Sequence, residues 1–367
     1  MSSTAERAGE TAMKPLVLES LEIRSFRGFR HLKIDHLGRV NLIVGKNNVG
    51  KTALLEALRL YAAKGSPQMI WEMVGIDTYI IRSARLPTER KLSALKYLFY
   101  GRKDVKARDD PKPIQIGPMN VPEERLSVGV GWDIVTINDS HPAGRRTPGF
   151  SVQIGSKPAF LYPLDEALLP ELFEQQSQDI NAFFVLSGGL SKNQAAMLWD
   201  SIALTPLQEE VMSALRSIAP GVAGLNFVAN DTYPLERIAI VKVTNIDDPF
   251  PLSNLGDGMQ RMLGIALALV NAKDGMLLVD EIENGLHYSV LPDLWQMMFQ
   301  LARRLNVQVF ATTHSWDCIE GFQQAAQEDQ QTEGMLIRLD ARKDGVAATL
   351  FDERRLSIAT REQIEVR

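Results

Sequence analysis

Apolar and polar positions along this chain fall into two periods, and their order predicts an architecture. Runs at residues 17–25, 30–36 and 40–44, and again at 112–116, 126–137 and 150–162, place Val, Ile and Phe between Pro and Gly breakers and predict strands. Further apolar runs at 276–279, 305–313, 334–339 and 345–351 predict a second group of strands. Spacing of i, i+3 and i+4 predicts helices over 52–63, 88–99, 191–202 and 206–217, with Ser191 and Thr205 as N-caps of the last two. Two more helices are expected, one ending near Asn271 and one over 290–304, with a short helical tail over 352–367. No heptad pattern persists, so coiled-coil arms are not expected, and neither internal repeats nor low-complexity tracts occur.

The most informative stretch lies where a strand pattern hands over to a helix pattern. Between Val40–Val44 and the helix opened by Ala53 stand Gly45, Lys46, Asn47, Asn48, Val49, Gly50, Lys51 and Thr52, which match G-x-x-x-x-G-K-[ST]. Glycines at 45 and 50 let the backbone turn tightly, so that successive N–H groups and the helix N-terminus face a β-phosphate. Lys51 is placed to reach the β- and γ-phosphates, and the Thr52 hydroxyl to take one Mg2+ position.

Three segments of the C-terminal half fit the remainder of a nucleotide site. Met276–Val279 is a short apolar strand ending in Asp280 and Glu281; Asp280 is expected to hold Mg2+ through water and Glu281 to orient the attacking water. The run Leu305–Thr313 ends in His314, where a γ-phosphate sensor is expected. Leu255-Gly256-Asp257-Gly258-Met259-Gln260-Arg261 precedes the helix that ends near Asn271.

The order of phosphate loop, glycine-bearing segment with helix, Asp-Glu strand end and histidine resembles that of ABC-type ATPase heads. Against that family's L-S-G-G-Q signature, Leu255 and Gly258 match, while Gly256, Asp257 and Met259 replace Ser, Gly and Gln; Ser253 lies close by. Asp280-Glu281-Ile282-Glu283-Asn284-Gly285-Leu286-His287 resembles the D-E-I-E-N-G-L-H element of OLD/RecF-like AAA ATPases, an SMC-related branch, as do Phe26-Arg27-Gly28-Phe29 and Lys46-Asn47-Asn48. The resemblance covers residues 20–62 and 250–320. It implies an α/β P-loop NTPase fold: an ABC-type head with a mixed central sheet, an antiparallel β subdomain and a helical lobe. Lobe I is expected over 16–165 and 270–367, with lobe II inserted over 166–269. It also implies a homodimer that sandwiches ATP, with Gly256, Asp257 and Gly258 closing on the partner's nucleotide in trans and a D-loop of Asn284 to His287 at the interface. The Toprim nuclease domain of full OLD proteins is not expected in this chain. The resemblance therefore implies a bacterial sensor or regulatory ATPase working with a separately encoded effector, such as a Toprim-type nuclease in anti-phage defence. A RecF-like clamp that binds DNA directly is the alternative.

Composition narrows these readings. At 367 residues, 45% apolar and 23% charged, the chain suits one large α/β domain with an insertion, or two lobes. Its single cysteine, Cys318, excludes a disulfide framework and suits a reducing cytoplasm. No apolar run reaches the length of a membrane span, and residues 1–15 read as a disordered leader. A net charge of −5 argues against a surface built wholly for nucleic acid, although Arg102–Arg108 and Arg145-Arg146 are candidate local contacts.

Several other constellations fail on spacing. Asn271-Ala272-Lys273-Asp274 has the wrong order and place for a guanine-reading N-K-x-D, so ATP is preferred over GTP. The five histidines lack zinc-ligand spacing, and Asp109-Asp110 and Asp247-Asp248 read as solvated loop acids. Phe26 and Phe29 are read as core rather than as a platform for adenine. A transporter subunit would need a coupling glutamine, for which Gln68 and Gln115 are candidates by position alone.

Overall fold

A computed structural model describes residues 14–75, 87–102, 112–138, 141–164, 180–230, 232–233, 235–329 and 331–361. The first strands are β1 (Leu21–Phe26), β2 (Phe29–Ile34) and β3 (Val40–Val44), followed by helices α1 (Lys51–Ala62), α2 (Pro67–Met73) and α3 (Thr88–Leu95). Next come β4 (Ile114–Gly117), β5 (Leu126–Asn138), β6 (His141–Ile154), β7 (Phe160–Pro163) and β8 (Ala182–Val185). Helices α4 (Lys192–Ile202) and α5 (Pro206–Ile218) lead to β9 (Val222–Ala229), β10 (Arg237–Val243), β11 (Phe250–Pro251) and the helix α6 (Asp257–Asn271). The chain continues through β12 (Met276–Val279), α7 (Leu291–Arg304), β13 (Gln308–Thr312), α8 (Trp316–Glu328), β14 (Gly334–Arg342), β15 (Gly345–Phe351) and α9 (Glu353–Arg361).

Among the described residues these strands form three sheets. The central one runs β15-β14-β3-β13-β12-β8 and is parallel except for the antiparallel edge strand β15. Three of its inner strands, β3, β12 and β13, are buried at every position, as mainly apolar strands covered on both faces should be. Side-chain alternation divides each strand between two cores: Leu42, Leu277 and Val309 pack with the helices α4 to α8, while Ile43, Leu278 and Phe310 pack with α1 and the second sheet. That second sheet is antiparallel, β2-β1-β4-β5-β6-β7, and a small third one runs β11-β10-β9. At the end of the central sheet remote from the phosphate loop, the fully buried Gln308 closes the gap between strands, donating to Leu18 O at 2.7 Å and Gly38 O at 3.0 Å and accepting from Leu18 N at 2.9 Å.

The pattern of strands and helices departs from expectation at identifiable places. The run 150–162 is two strands, because the chain turns at Gly155 with φ +56°. Helix 88–99 ends at Leu95 and tightens into a 3-10 turn over Lys96–Leu98. The segment 305–313 forms a strand only from Gln308, since Leu305 and Asn306 complete the turn after α7. One strand of the central sheet, β8, comes from the segment expected to belong to the inserted lobe, and it pairs with β12 in parallel. Ser191 caps α4 with a full capping box shared with Gln194, whereas Thr205 makes no side-chain cap bond to α5. Residues 1–13 of the expected leader lie outside the described residues. No helix among the described residues is long and apolar enough to cross a membrane.

Phe26 and Phe29 are both fully buried in the core between α1 and the antiparallel sheet, which removes them as a base platform. A Cβ on Gly50 would stand 2.9 Å from Phe29 Cζ, so the ring is the floor on which the phosphate loop rests. Phe29→Ala is therefore expected to cost about 3–5 kcal/mol of stability in a denaturant titration, the usual range for emptying a core aromatic site.

Candidate active site

The phosphate loop leaves the C-terminal end of β3 and returns as α1. Gly50 occupies the N-cap of α1 with φ +114°, a left-handed conformation that an L side chain resists, and the neighbouring Phe29 ring leaves no room for a Cβ. The first turn of α1 has neither an acidic residue nor a side-chain cap, so its N–H groups and the positive end of the helix dipole remain for an anion. Lys51 bends back over the loop and donates to Gly45 O at 2.7 Å. Burial lowers its pKa, and the carboxylates of Glu281, Asp280 and Glu283 oppose that shift.

Strand order explains how the acids reach this loop. β13 lies between β3 and β12, so a side chain at its C-terminal end can bridge the two. Thr312 does this: its hydroxyl donates to Asp280 Oδ1 at 2.6 Å and accepts from Glu281 N at 2.8 Å. Thr52, one residue into α1, donates to Asp280 Oδ2 at 3.1 Å, which brings the loop hydroxyl and the strand carboxylate into direct contact. Glu281 takes φ +46°, turning the chain sharply after β12 so that its side chain is 40% exposed to the cleft, while Asp280 stays buried. His314 stands across from it, with Nδ1 at 3.8 Å from the Glu281 carboxylate and 3.7 Å from that of Glu283. Glu283 also holds the His314 backbone, accepting from its N–H at 3.1 Å.

Gly50, Lys51, Thr52, Asp280, Glu281 and His314 line one cleft of about 1030 Å3, which also takes in Asn47, Asn48 and Ala53. Arg27, Glu56 and Tyr97 also line it, none of them a site residue expected from the sequence, and so does Arg102, expected instead as a nucleic-acid contact. Arg27 reaches Glu56 at 2.7 Å and also donates to Met73 O at 3.1 Å; Tyr97 and Arg102 stand together on the wall, 6.0 Å from guanidinium to ring. Burial raises the pKa of Glu56, and Arg27 opposes it. Glu56 follows Thr52 by one helical turn, a spacing that places both on one face. The other three are brought to the cleft by tertiary packing.

Other candidates fall elsewhere. Gly256 and Asp257 are exposed, Gly258 is half-buried, and none of the three lines the cleft of its own chain. Met259, in the position of the signature Gln, is a core residue. Asn284 donates to Ser187 O at 2.9 Å, and His287 bonds Ser289 at 2.9 Å and packs on Tyr288. Asn271 bonds Leu267 O and Leu198 O, and Asp274 bonds Lys14 and Asn306, so both ends of the N-K-x-D look-alike serve structure. Gln68 and Gln115 do not line the cleft. Residues 103–108 of the basic run, Asp109-Asp110 and the side chains of Arg145-Arg146 lie outside the described residues. Burial pushes the Cys318 thiol up to about 12, which removes it from thiolate chemistry. Among the described residues no group of three or more His, Cys, Asp or Glu is arranged for a metal. Thr52 and Asp280 do present hard oxygen donors side by side, a set that suits Mg2+ when phosphate oxygens and water complete the shell.

Comparison with known proteins bears on the fold and on ATP hydrolysis. A family profile described as an AAA ATPase domain matches residues 16–105, and a second AAA domain profile, whose description also names an AbiEii toxin and a type IV TA system, matches 219–317. An ATP/GTP phosphatase of Helicobacter pylori is 24% identical over 343 residues, 85% of this chain and 89% of that protein. The DNA replication and repair protein RecF of Thioalkalivibrio sulfidiphilus is 44% identical over 45 residues, 12% of either chain. Among solved structures, an SMC head bound to the C-terminal winged-helix domain of ScpA superposes with a TM-score of 0.53 at 15% identity, covering 92% of this chain and 98% of the other. The chain is thus a P-loop ATPase with the fold of an ABC-type, SMC-like head, and in sequence it is similar to AAA ATPase domains and, over a short stretch, to RecF.

Proposed function

We propose that two copies of this chain close around two ATP molecules, and that this cycle of closure and hydrolysis regulates a separately encoded effector. The observation that carries the reading is the division of the site. Lys51, Thr52, Asp280, Glu281 and His314 share one cleft, whereas the signature segment Gly256–Gly258 of the same chain lies outside it, with Gly256 and Asp257 exposed. A second copy can bring its signature to the open side of that cleft.

In this scheme Lys51 and the loop N–H groups bind the β- and γ-phosphates, and Glu281 orients and polarises the attacking water. His314 contacts the γ-phosphate, held in place by Glu283. Thr52 and Asp280 would hold Mg2+, which when bound offsets charge on the phosphate oxygens. The signature Gly256, Asp257 and Gly258 of the partner copy supply backbone N–H groups at a helix N-terminus, and Asn284 and His287 line the interface as the D-loop. Chelating Mg2+ with EDTA is expected to stop ATP turnover, and Thr52→Ala to raise the Mg2+ concentration needed for half-maximal rate; an unchanged rate in EDTA would exclude the metal role.

The output reading, a soluble effector such as a Toprim-type nuclease in defence against phage, rests on the resemblance of the element Asp280–His287. It is tested by purifying tagged Glu281→Gln protein from its host in Mg-ATP and identifying what stays bound. A stoichiometric soluble protein supports the effector reading. Nucleic acid without a protein partner supports the second reading, a RecF-like clamp, which the 44% identity to RecF over 45 residues favours. That clamp would show ATP-dependent DNA binding that weakens steeply with salt.

A further inference from the structure

Arg261 lies in the first turns of α6, three residues beyond Gly258 and so on the same helical face. It is 8% exposed, and its guanidinium spans two other segments. Nη2 donates to Asp280 O and to Glu281 O, both at 3.1 Å, and Nη1 donates to Leu186 O at 2.7 Å. The two carbonyls at 280 and 281 flank the turn where Glu281 adopts φ +46°, so the guanidinium braces the conformation that sends this carboxylate into the cleft. Gly189 follows Leu186 in the same loop, and a Cβ there would come within 3.4 Å of Arg261 Nη1.

The segments joined by Arg261 form one surface. A Cβ on Gly258 would meet Gly285 O at 3.5 Å and Leu286 Cδ2 at 3.6 Å, so the signature packs on the D-loop of its own chain. Asn284 ties that loop to Ser187 O, next to Leu186. Leu186 is 56% and Leu255 37% exposed, leaving apolar side chains on this face beside the signature. A planar fork that holds three carbonyls at once transmits displacement of α6 to Asp280 and Glu281, which a single point charge on a flexible stem does not.

We propose that Arg261 is a positioning residue through which the signature segment of each copy sets Glu281 in its own cleft, so that ATP held against one copy's signature controls hydrolysis at that copy's own site. The inference rests on the two-head reading above and adds to it a route for communication between the two nucleotides.

Arg261→Lys keeps a buried charge but loses the fork; Arg261→Met removes the donors altogether, and the lysine variant carries the test should the methionine variant not fold. Wild-type turnover is expected to rise sigmoidally with Mg-ATP, with a Hill coefficient between 1 and the limit of about 2 set by two sites. Arg261→Lys is expected to lower kcat by about tenfold or more and to make the curve hyperbolic, with equilibrium binding of a fluorescent ATP analogue unchanged. A hyperbolic wild-type curve, a lysine variant with wild-type kcat and cooperativity, or a loss of turnover matched by loss of ATP binding and melting temperature would each overturn the inference. Glu281→Gln that stays monomeric in Mg-ATP would strike at the two-head reading itself; Glu281→Gln that dimerises, beside a wild-type-like Arg261→Lys, would strike at Arg261 alone.

Discussion

Glu281→Gln is expected to lower kcat by about 10^2–10^3, a barrier increase of roughly 3–4 kcal/mol, while ATP still binds. Glutamine has the same length and no greater backbone strain at φ +46°, and the bond from residue 281 N to Thr312 Oγ1 is a backbone contact that it keeps. The substitution therefore removes charge and basicity alone. Because Glu281 is one of three acids acting on Lys51 in a cleft that must accept a polyanionic phosphate chain, its neutralisation is expected to hold or tighten ATP affinity. The bound, unhydrolysed nucleotide should then accumulate a closed dimer. Steady-state phosphate release and size-exclusion chromatography in Mg-ATP check both halves. Turnover at the wild-type rate would remove Glu281 from the chemistry and leave His314, 3.8 Å away, as the nearest other candidate.

The contrast between what sequence alone revealed about this site and what it concealed follows from the range of the interactions. β3, β12 and β13 are read directly because both their faces are buried, which leaves mainly apolar runs, broken only by Asn41, Gln308 and Thr312, that lead to the candidate site residues Gly45, Asp280 and His314. β8 is no shorter than β12, but it is an edge strand whose Ala182, Phe183 and Phe184 are only half-buried, and no acid follows it to mark it out. The strands β9 and β10 are mostly half-buried, so their apolar positions do not alternate cleanly, and α8 carries Gln and Glu on an exposed face that masks the buried stripe of Cys318, Ile319, Phe322 and Ala325. Thr312 reads as one more β-branched residue of a strand; its contact with Asp280 exists because β13 is inserted between β3 and β12, and strand order is a tertiary fact. Arg261 likewise reads as a polar residue near a helix start, and only packing reveals that it is buried against the carboxylate loop.

Lys51→Ala is expected to fail at the earlier step, with ATP affinity reduced by about 10^2, since charge-assisted hydrogen bonds contribute on the order of 1.5–3 kcal/mol each. The ammonium bonds Gly45 O at 2.7 Å and lies 3.4 Å from Lys46 O, so the fold should lose about 1 kcal/mol, the usual worth of one hydrogen bond. Thermal melting separates the two consequences. At an ATP concentration about 100 times the wild-type Kd, ligand binding stabilises the wild type by about 2.7 kcal/mol; a variant with Kd raised about 100-fold would gain only about 0.4 kcal/mol at the same concentration. The expected pattern is a melting temperature lowered only slightly without nucleotide and a nearly absent shift with Mg-ATP. Glu281→Gln should show the opposite, a full shift without turnover, and the crossing of these two responses distinguishes a lysine that binds phosphate from a glutamate that acts on water. A Lys51→Ala protein with the wild-type shift would show that the loop backbone holds the nucleotide unaided, and the binding role assigned to the lysine would be wrong.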